Sequence, residues 1–73
     1  MAEIISVKPV PGGWAVEPAL SAYPLVFLSG RQAERKARQL AELVASQGYD
    51  AEVRIHDRQN APVGAFAYPA RWA

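Results

Sequence analysis

Short runs of alternating apolar and polar residues open the chain, and this period of two is typical of β-strands. Residues 4–10 place Ile5 and Val7 on one face of a strand, with Ile4 and Lys8 on the other. Because successive side chains of a strand point to opposite faces, this segment predicts a first strand with one buried face.

A glycine-rich turn separates this strand from a second one. Pro11-Gly12-Gly13 supplies the positive φ that a tight hairpin requires. Trp14 and Val16 then share one face, which favours a place for the Trp14 ring in the core. Pro18 cannot donate to a ladder, so it ends the regular part of this second strand.

The segment between the second strand and the helix leaves one question open. Residues 19–23 are predicted as a loop. Residues 24–28 form a short apolar run, Pro-Leu-Val-Phe-Leu. A run of this length indicates a strand, either a third one or a continuation of the second.

The hydrophobic period becomes that of an amphipathic helix after Ser29. Ser29 stands at the N-cap and Gln32 follows three residues later, which is a capping-box pattern. Gly48 is a C-terminal stop, so the helix is predicted from about Gly30 to Gln47. The apolar stripe of this helix consists of Ala33, Ala37, Leu40 and Val44, widened by Ala41 and Leu43.

Alternation returns after the helix. Residues 50–58 carry apolar side chains on one face, which indicates a half-exposed antiparallel strand. A turn follows, in which Asn60 is expected to take a left-handed conformation. Residues 63–68 are the last predicted strand. The other face of the first of these two strands carries Glu52, Arg54, His56 and Arg58.

This order of elements predicts the α+β class, with a small antiparallel sheet in the order β-β-(β)-α-β-β and one helix packed on one face. The 73 residues are enough for one domain, spanning 1–73. Residues 69–73 are expected to form a loose C-terminal tail.

The amino-acid composition limits the kinds of ligand and site that we expect in this chain. Eight basic and seven acidic residues give a net charge of +1, so no strong field directs the chain to nucleic acid or to a membrane. With no cysteine and one histidine, neither a disulfide nor a zinc site is expected, and no metal or cofactor is predicted. The chain shows no signal peptide and no apolar run of about 20 residues, so the expected location is cytoplasmic.

Two short segments carry a family resemblance. These are Gly13-Trp14-Ala15-Val16 and Ile55-His56-Asp57-Arg58, on either side of the alanine-rich helix. With that helix they resemble a family of short bacterial proteins, domain of unknown function 2188, over residues 4–63. That family has a glycine in the turn where this chain has Gln59-Asn60-Ala61. The resemblance implies a small stand-alone bacterial domain and supplies no activity.

The residues that catalysis uses do not form a pattern here. Nucleophilic catalysis needs a Ser, Cys or Thr with a base within reach. The chain has no Cys and no Thr, and Ser29 is the predicted helix cap. His56 and Asp57 are neighbours on a strand, so their side chains point to opposite faces and cannot form an orienting pair. The chain is therefore predicted not to be an enzyme.

Basic residues on the helix and on the strands are candidate nucleic-acid contacts, because cationic side chains bind phosphate oxygens. Acidic residues interleave both sets, so weak nucleic-acid binding is the alternative hypothesis. The candidates are Arg31, Arg35 and Arg38 on the helix, and Lys8, Arg54 and Arg58 on the strands.

Aromatic and apolar residues outside the helix-covered face favour self-association. One helix covers one face of a sheet, so apolar side chains on the other face need a partner. The first hypothesis is a non-enzymatic interaction module that forms a homodimer through its sheet edges or its exposed sheet face. An accessory protein of unknown role is a further alternative. The candidate interface residues are Ile4, Phe66, Tyr68 and Trp72.

Overall fold

A computed structural model describes residues 2–18 and 25–71. The apolar run before the helix forms a strand of its own, which decides one open question. The loop predicted at 19–23 lies outside the described residues. The elements are β1 (Glu3–Val10), β2 (Gly13–Pro18), β3 (Leu25–Phe27), α1 (Gly30–Ser46), β4 (Ala51–His56) and β5 (Pro62–Tyr68).

The strands form one sheet in the order β3-β2-β1-β4-β5, and α1 packs against it. The predicted α+β class, with one helix on one face, is confirmed. Three of the four strand pairs are antiparallel, but β1 and β4 run parallel. The sheet is therefore mixed, whereas the sequence predicted an antiparallel sheet.

Connectivity explains the parallel pair. The three strands β1, β2 and β3 run up, down and up, so the chain leaves β3 at the end of the sheet where β1 stops. The 17 residues of α1 span ~26 Å, and the eight residues of β1 span about the same length. The helix thus returns the chain to the start of β1. There Ala51 pairs with Glu3, and β4 runs alongside β1 in the same direction.

The core lies between α1 and one face of the sheet. Four alanines spaced one turn apart form the buried ridge of α1, and their small side chains allow the helix backbone to approach the strands. Leu40 and Val44 pack against this core from the side, as predicted. The most fully buried side chains include Ile5, Val7, Val16 and Val53 on the sheet and Ala33, Ala37, Ala41 and Ala45 on the helix.

Leu43 does not widen this stripe, and the prediction that it would is wrong. Its side chain is 55% exposed. Each helical residue turns the direction of the side chain by about 100°, so Leu43 points away from buried Ala41 and Ala45, its neighbours two positions before and after.

The predicted helix ends and turns are confirmed. The Ser29 hydroxyl accepts a hydrogen bond from the Gln32 amide at 3.1 Å. The helix ends at Ser46, and Gly48 follows with φ of 91°. In the two turns, Gly12 has φ of 82° and Asn60 has φ of 64°, both left-handed.

The segment after β5 is attached to the domain over its first residues. The Ala70 amide donates to an Asp50 carboxylate oxygen at 2.8 Å, and the Arg71 amide donates to the Ala45 carbonyl oxygen at 2.9 Å. Residues 69–73 were predicted as a loose tail. Within that segment, Ala70 and Arg71 are instead hydrogen-bonded to the end of α1 and to the residue before β4. Trp72 and Ala73 lie outside the described residues.

Candidate interaction surface

The strand register decides which side chains share the covered face. Residues directly opposite one another on neighbouring strands point to the same face. Ile5 pairs with Val53, and Val53 pairs with Phe66, so all three point toward α1. Tyr68 pairs with buried Ala51 and points the same way.

This register corrects the expected interface. Phe66 is expected from the sequence on the uncovered face of the sheet, but it lies with Tyr68 on the face that α1 covers. Ile4 does lie on the uncovered face, opposite Glu52. The predicted interface residues are thus split between the two faces, with Trp72 outside the described residues. Alternation groups side chains by face, but only the pairing partner tells which face receives the helix.

Arg38 covers the aromatic residues of β5. Its guanidinium carbon lies 4.4 Å from the centre of the Phe66 ring, a cation–π contact. The guanidinium also donates to the Tyr68 hydroxyl at 3.1 Å and to a Glu34 carboxylate oxygen at 3.2 Å. These hydrogen bonds, that to Tyr68 foremost, hold the pKa of Arg38 above its ordinary value. Arg38, a candidate nucleic-acid contact from the sequence, thus connects α1 to β5 in the structure.

The uncovered face of the sheet carries charges that cancel in pairs. Lys8 lies 3.5 Å from a carboxylate oxygen of Glu17, and Arg54 forms an ion pair with Glu52. The ring nitrogen Nδ1 of His56 lies 3.2 Å from the Val7 carbonyl oxygen. Lys8 and Arg54 are the candidate nucleic-acid contacts on this face among the described residues, and each has an acidic partner.

The candidate nucleic-acid contacts do not share one surface. Arg31 and Arg35 are exposed on α1, whereas the paired strand residues lie on the opposite side of the sheet. The Arg58 guanidinium carbon lies 5.9 Å from the centre of the Trp14 ring, beyond the end of β4. The structure therefore divides these basic residues between the two sides of the sheet.

A cavity of about 390 Å³ opens beside Trp14 at the N-terminal end of α1. Trp14 packs against the core, as predicted, and a Cβ on Gly30 would lie 3.3 Å from its ring. Among the described side chains that line this cavity, only Arg58 is ionisable, so they offer no acid–base pair.

The described residues offer neither a metal site nor a membrane-spanning helix. They contain no group of three or more histidine, aspartate or glutamate side chains close enough to hold a metal ion. The helix of the described chain is neither long nor apolar enough to cross a bilayer.

Among the described residues, no strand pairs with the outer edge of β5, and this side of the strand is called its free edge. The Glu3 amide donates to the Asp50 carbonyl oxygen at 2.8 Å, so Asp50 directs its backbone toward β1. The N–H and C=O groups of successive residues point alternately to the two sides of a strand. Those of Ala51, Val53 and Ile55 therefore point toward β5. Their β5 partners are hydrogen-bonded to β4, and the residues between those partners direct N–H and C=O groups away from the sheet. These outward-directed residues are Ala65 and Ala67.

No charged residue of β5 protects this edge, and only a pairing irregularity at the start of the strand interrupts it. Proteins protect edge strands with charged residues, proline, bulges or short length. The opposite edge, β3, has only three residues. The seven residues of β5, Pro-Val-Gly-Ala-Phe-Ala-Tyr, carry no charge, and the only proline is the first of them. Sequence reasoning did not single out Ala65 and Ala67, and this uncharged run was the available signal.

Comparison of the chain with known protein families, curated proteins and solved structures finds no match. The resemblance to domain of unknown function 2188 therefore stays a prediction.

Proposed function

We propose that this chain is a non-enzymatic interaction module that self-associates as a homodimer by pairing the β5 edges of two copies. The observation that carries this proposal is the uncharged edge on which Ala65 and Ala67 direct their backbone groups outward. Such an edge offers alternating donors and acceptors, and a second copy offers the complementary set. Two-fold dimers are the commonest symmetric assemblies.

Charge does not oppose the approach of two copies. The net charge is only +1, and β5 itself is uncharged. Arg38, the cation beside β5, is paired with Glu34, so each copy presents both signs next to the edge. Edge pairing makes a small interface, so we expect a dissociation constant on the order of micromolar.

Sedimentation or light scattering over a range of concentrations tests the proposal. The mass should rise from the 7.9 kDa of one chain to twice that value. Ala67→Pro should abolish the rise while the fold is kept, because it removes an outward N–H that β4 does not use. Ala67→Val is the matched control, since it keeps the amide and should still dimerise.

Two results would contradict this proposal. A mass of one chain at every concentration up to the millimolar range would remove self-association. An unchanged dimer in a folded Ala67→Pro variant would move the interface away from β5. Circular dichroism shows whether each variant is folded.

Weak nucleic-acid binding has less support than self-association. Three of its six candidate residues, Lys8, Arg38 and Arg54, are already paired with carboxylates. The remaining three, Arg31 and Arg35 on α1 and Arg58 beside Trp14, are too few to neutralise a long phosphate backbone. A gel shift of DNA or RNA at low salt, lost as salt rises, would restore this alternative.

We further propose a cytoplasmic location for the chain. The 73 residues include no cysteine, which fits a reducing compartment. Imaging of a fluorescent fusion checks the location.

A further inference from the structure

We infer the register of this dimer: Phe66 of one copy lies directly opposite the partner's Phe66, and Ala65 pairs with the partner's Ala67. This inference rests on the proposed self-association through β5. It depends on which residues of the edge can exchange hydrogen bonds, and on which side chains they bring together.

The regular part of the edge is short and bounded at both ends. At its start the pairing with β4 is irregular, because Ile55 pairs with Gly64 but His56 pairs with Pro62. Val63 is thus the extra residue of a β-bulge, which interrupts the edge. At its other end Pro69 has no N–H to donate. Between these limits Ala65 and Ala67 are the residues that direct their backbone outward.

Only one two-fold register uses all of these groups. Centring the axis on Phe66 makes Ala65 and the partner's Ala67 a hydrogen-bonded pair, and the symmetric pair forms as well, each exchanging two bonds. Centring it on Ala65 leaves Ala67 opposite the bulged Val63 of the partner. Centring it on Ala67 leaves Ala65 opposite the partner's Pro69, which lacks a donor. The first register therefore forms the most complete ladder.

The side chains favour the same register. A non-hydrogen-bonded pair places its Cα atoms ~4.5 Å apart, close enough for the two Phe66 rings to touch. Phe66 is 40% exposed in one chain, although Arg38 covers its ring. On the same face Gly64 lies opposite the partner's Tyr68, where the absence of a side chain leaves room for the larger ring. On the other face the pairs are alanine with alanine.

Single-cysteine variants read the register directly, because the chain has no cysteine of its own. Under mild oxidation, Phe66→Cys should shift to twice the monomer mass on a non-reducing gel, since ~4.5 Å between Cα atoms lies within disulfide range. Ala65→Cys and Ala67→Cys should not crosslink when each is alone, because those residues lie two positions out of register. A mixture of the two should crosslink, and differently tagged chains identify the mixed product.

A control and a second route keep this test decisive. Leu43→Cys is exposed on α1 and reports random collisions. The mixed Ala65→Cys and Ala67→Cys experiment leaves Phe66 intact, so it still reports the register if Phe66→Cys weakens the dimer.

The outcomes separate this inference from the proposal on which it rests. Crosslinking of Ala65→Cys alone or of Ala67→Cys alone would overturn the register and leave β5 pairing in place. A dimer in which none of the β5 variants crosslinks more than Leu43→Cys would overturn the register and relocate the interface. A monomeric unmodified chain would remove the proposed function itself.

Discussion

Gly13 illustrates a constraint that acts on a single residue. A Cβ placed on it would lie 2.3 Å from the carbonyl oxygen of Phe27, which is closer than a Cβ atom can approach another heavy atom without a shift of the backbone. The sequence marks Gly13 only as part of a turn, because Phe27 lies far along the chain. The close approach belongs to the pairing of β2 with β3, and local pattern carries no information about it.

Gly13→Ala should therefore destabilise the protein by about 1–3 kcal/mol, because the strands must shift to admit the methyl group. Urea unfolding followed by circular dichroism measures this free energy. Gly64→Ala, compared at a protein concentration below the dissociation constant of the dimer, is the control, since its added Cβ would meet the Phe66 ring at an ordinary 3.6 Å. Equal stability of the two variants would show that β2 and β3 are not this close.

Among the elements, α1 was the most fully predicted. Its cap, its length and most of its apolar stripe follow from local sequence, because capping and the helical period are properties of neighbouring residues. The sequence did not reveal that Arg38 contacts β5 or that Leu43 faces solvent. Those facts depend on how the helix is rotated on the sheet, and the rotation is fixed by the alanine ridge packing on distant strands.

Ala37→Leu tests this alanine ridge. The helix should persist, because leucine is almost as good a helix former as alanine. The stability should nevertheless fall by about 1–3 kcal/mol, because a fully buried site has no room for the longer side chain. Leu43→Ala, on the exposed face of the same helix, should change stability by less than about 0.5 kcal/mol. Chemical denaturation of the two variants gives the comparison, and a larger loss for Leu43→Ala would contradict the packing described.

For the whole molecule, dimerisation should couple to stability. Because association removes folded monomer from the unfolding equilibrium, the midpoint of thermal unfolding should rise with protein concentration. Above the dissociation constant the rise should be roughly 3–6 °C for each tenfold increase in concentration. Differential scanning calorimetry over a concentration series measures it.

The Ala67→Pro variant is the control for this coupling. It should unfold at a temperature that does not depend on concentration, because its β5 edge lacks one of the two outward N–H donors that the dimer uses. A concentration dependence equal to that of the unmodified chain would mean that the two copies meet elsewhere.

The sequence by itself determined β1, β2, β4 and β5, the helix with its caps, the two left-handed turn residues and the α+β class, but left open whether β3 was a separate strand. These features arise from alternation, helical period and turn chemistry, all of which act between residues close along the chain. It also showed that β5 is uncharged. Tertiary structure alone decided that β4 runs parallel to β1, that Phe66 faces the helix, and that Ala65 and Ala67 direct their backbone outward. Each of these depends on which strand lies beside which, and that choice is made by contacts between residues distant in sequence.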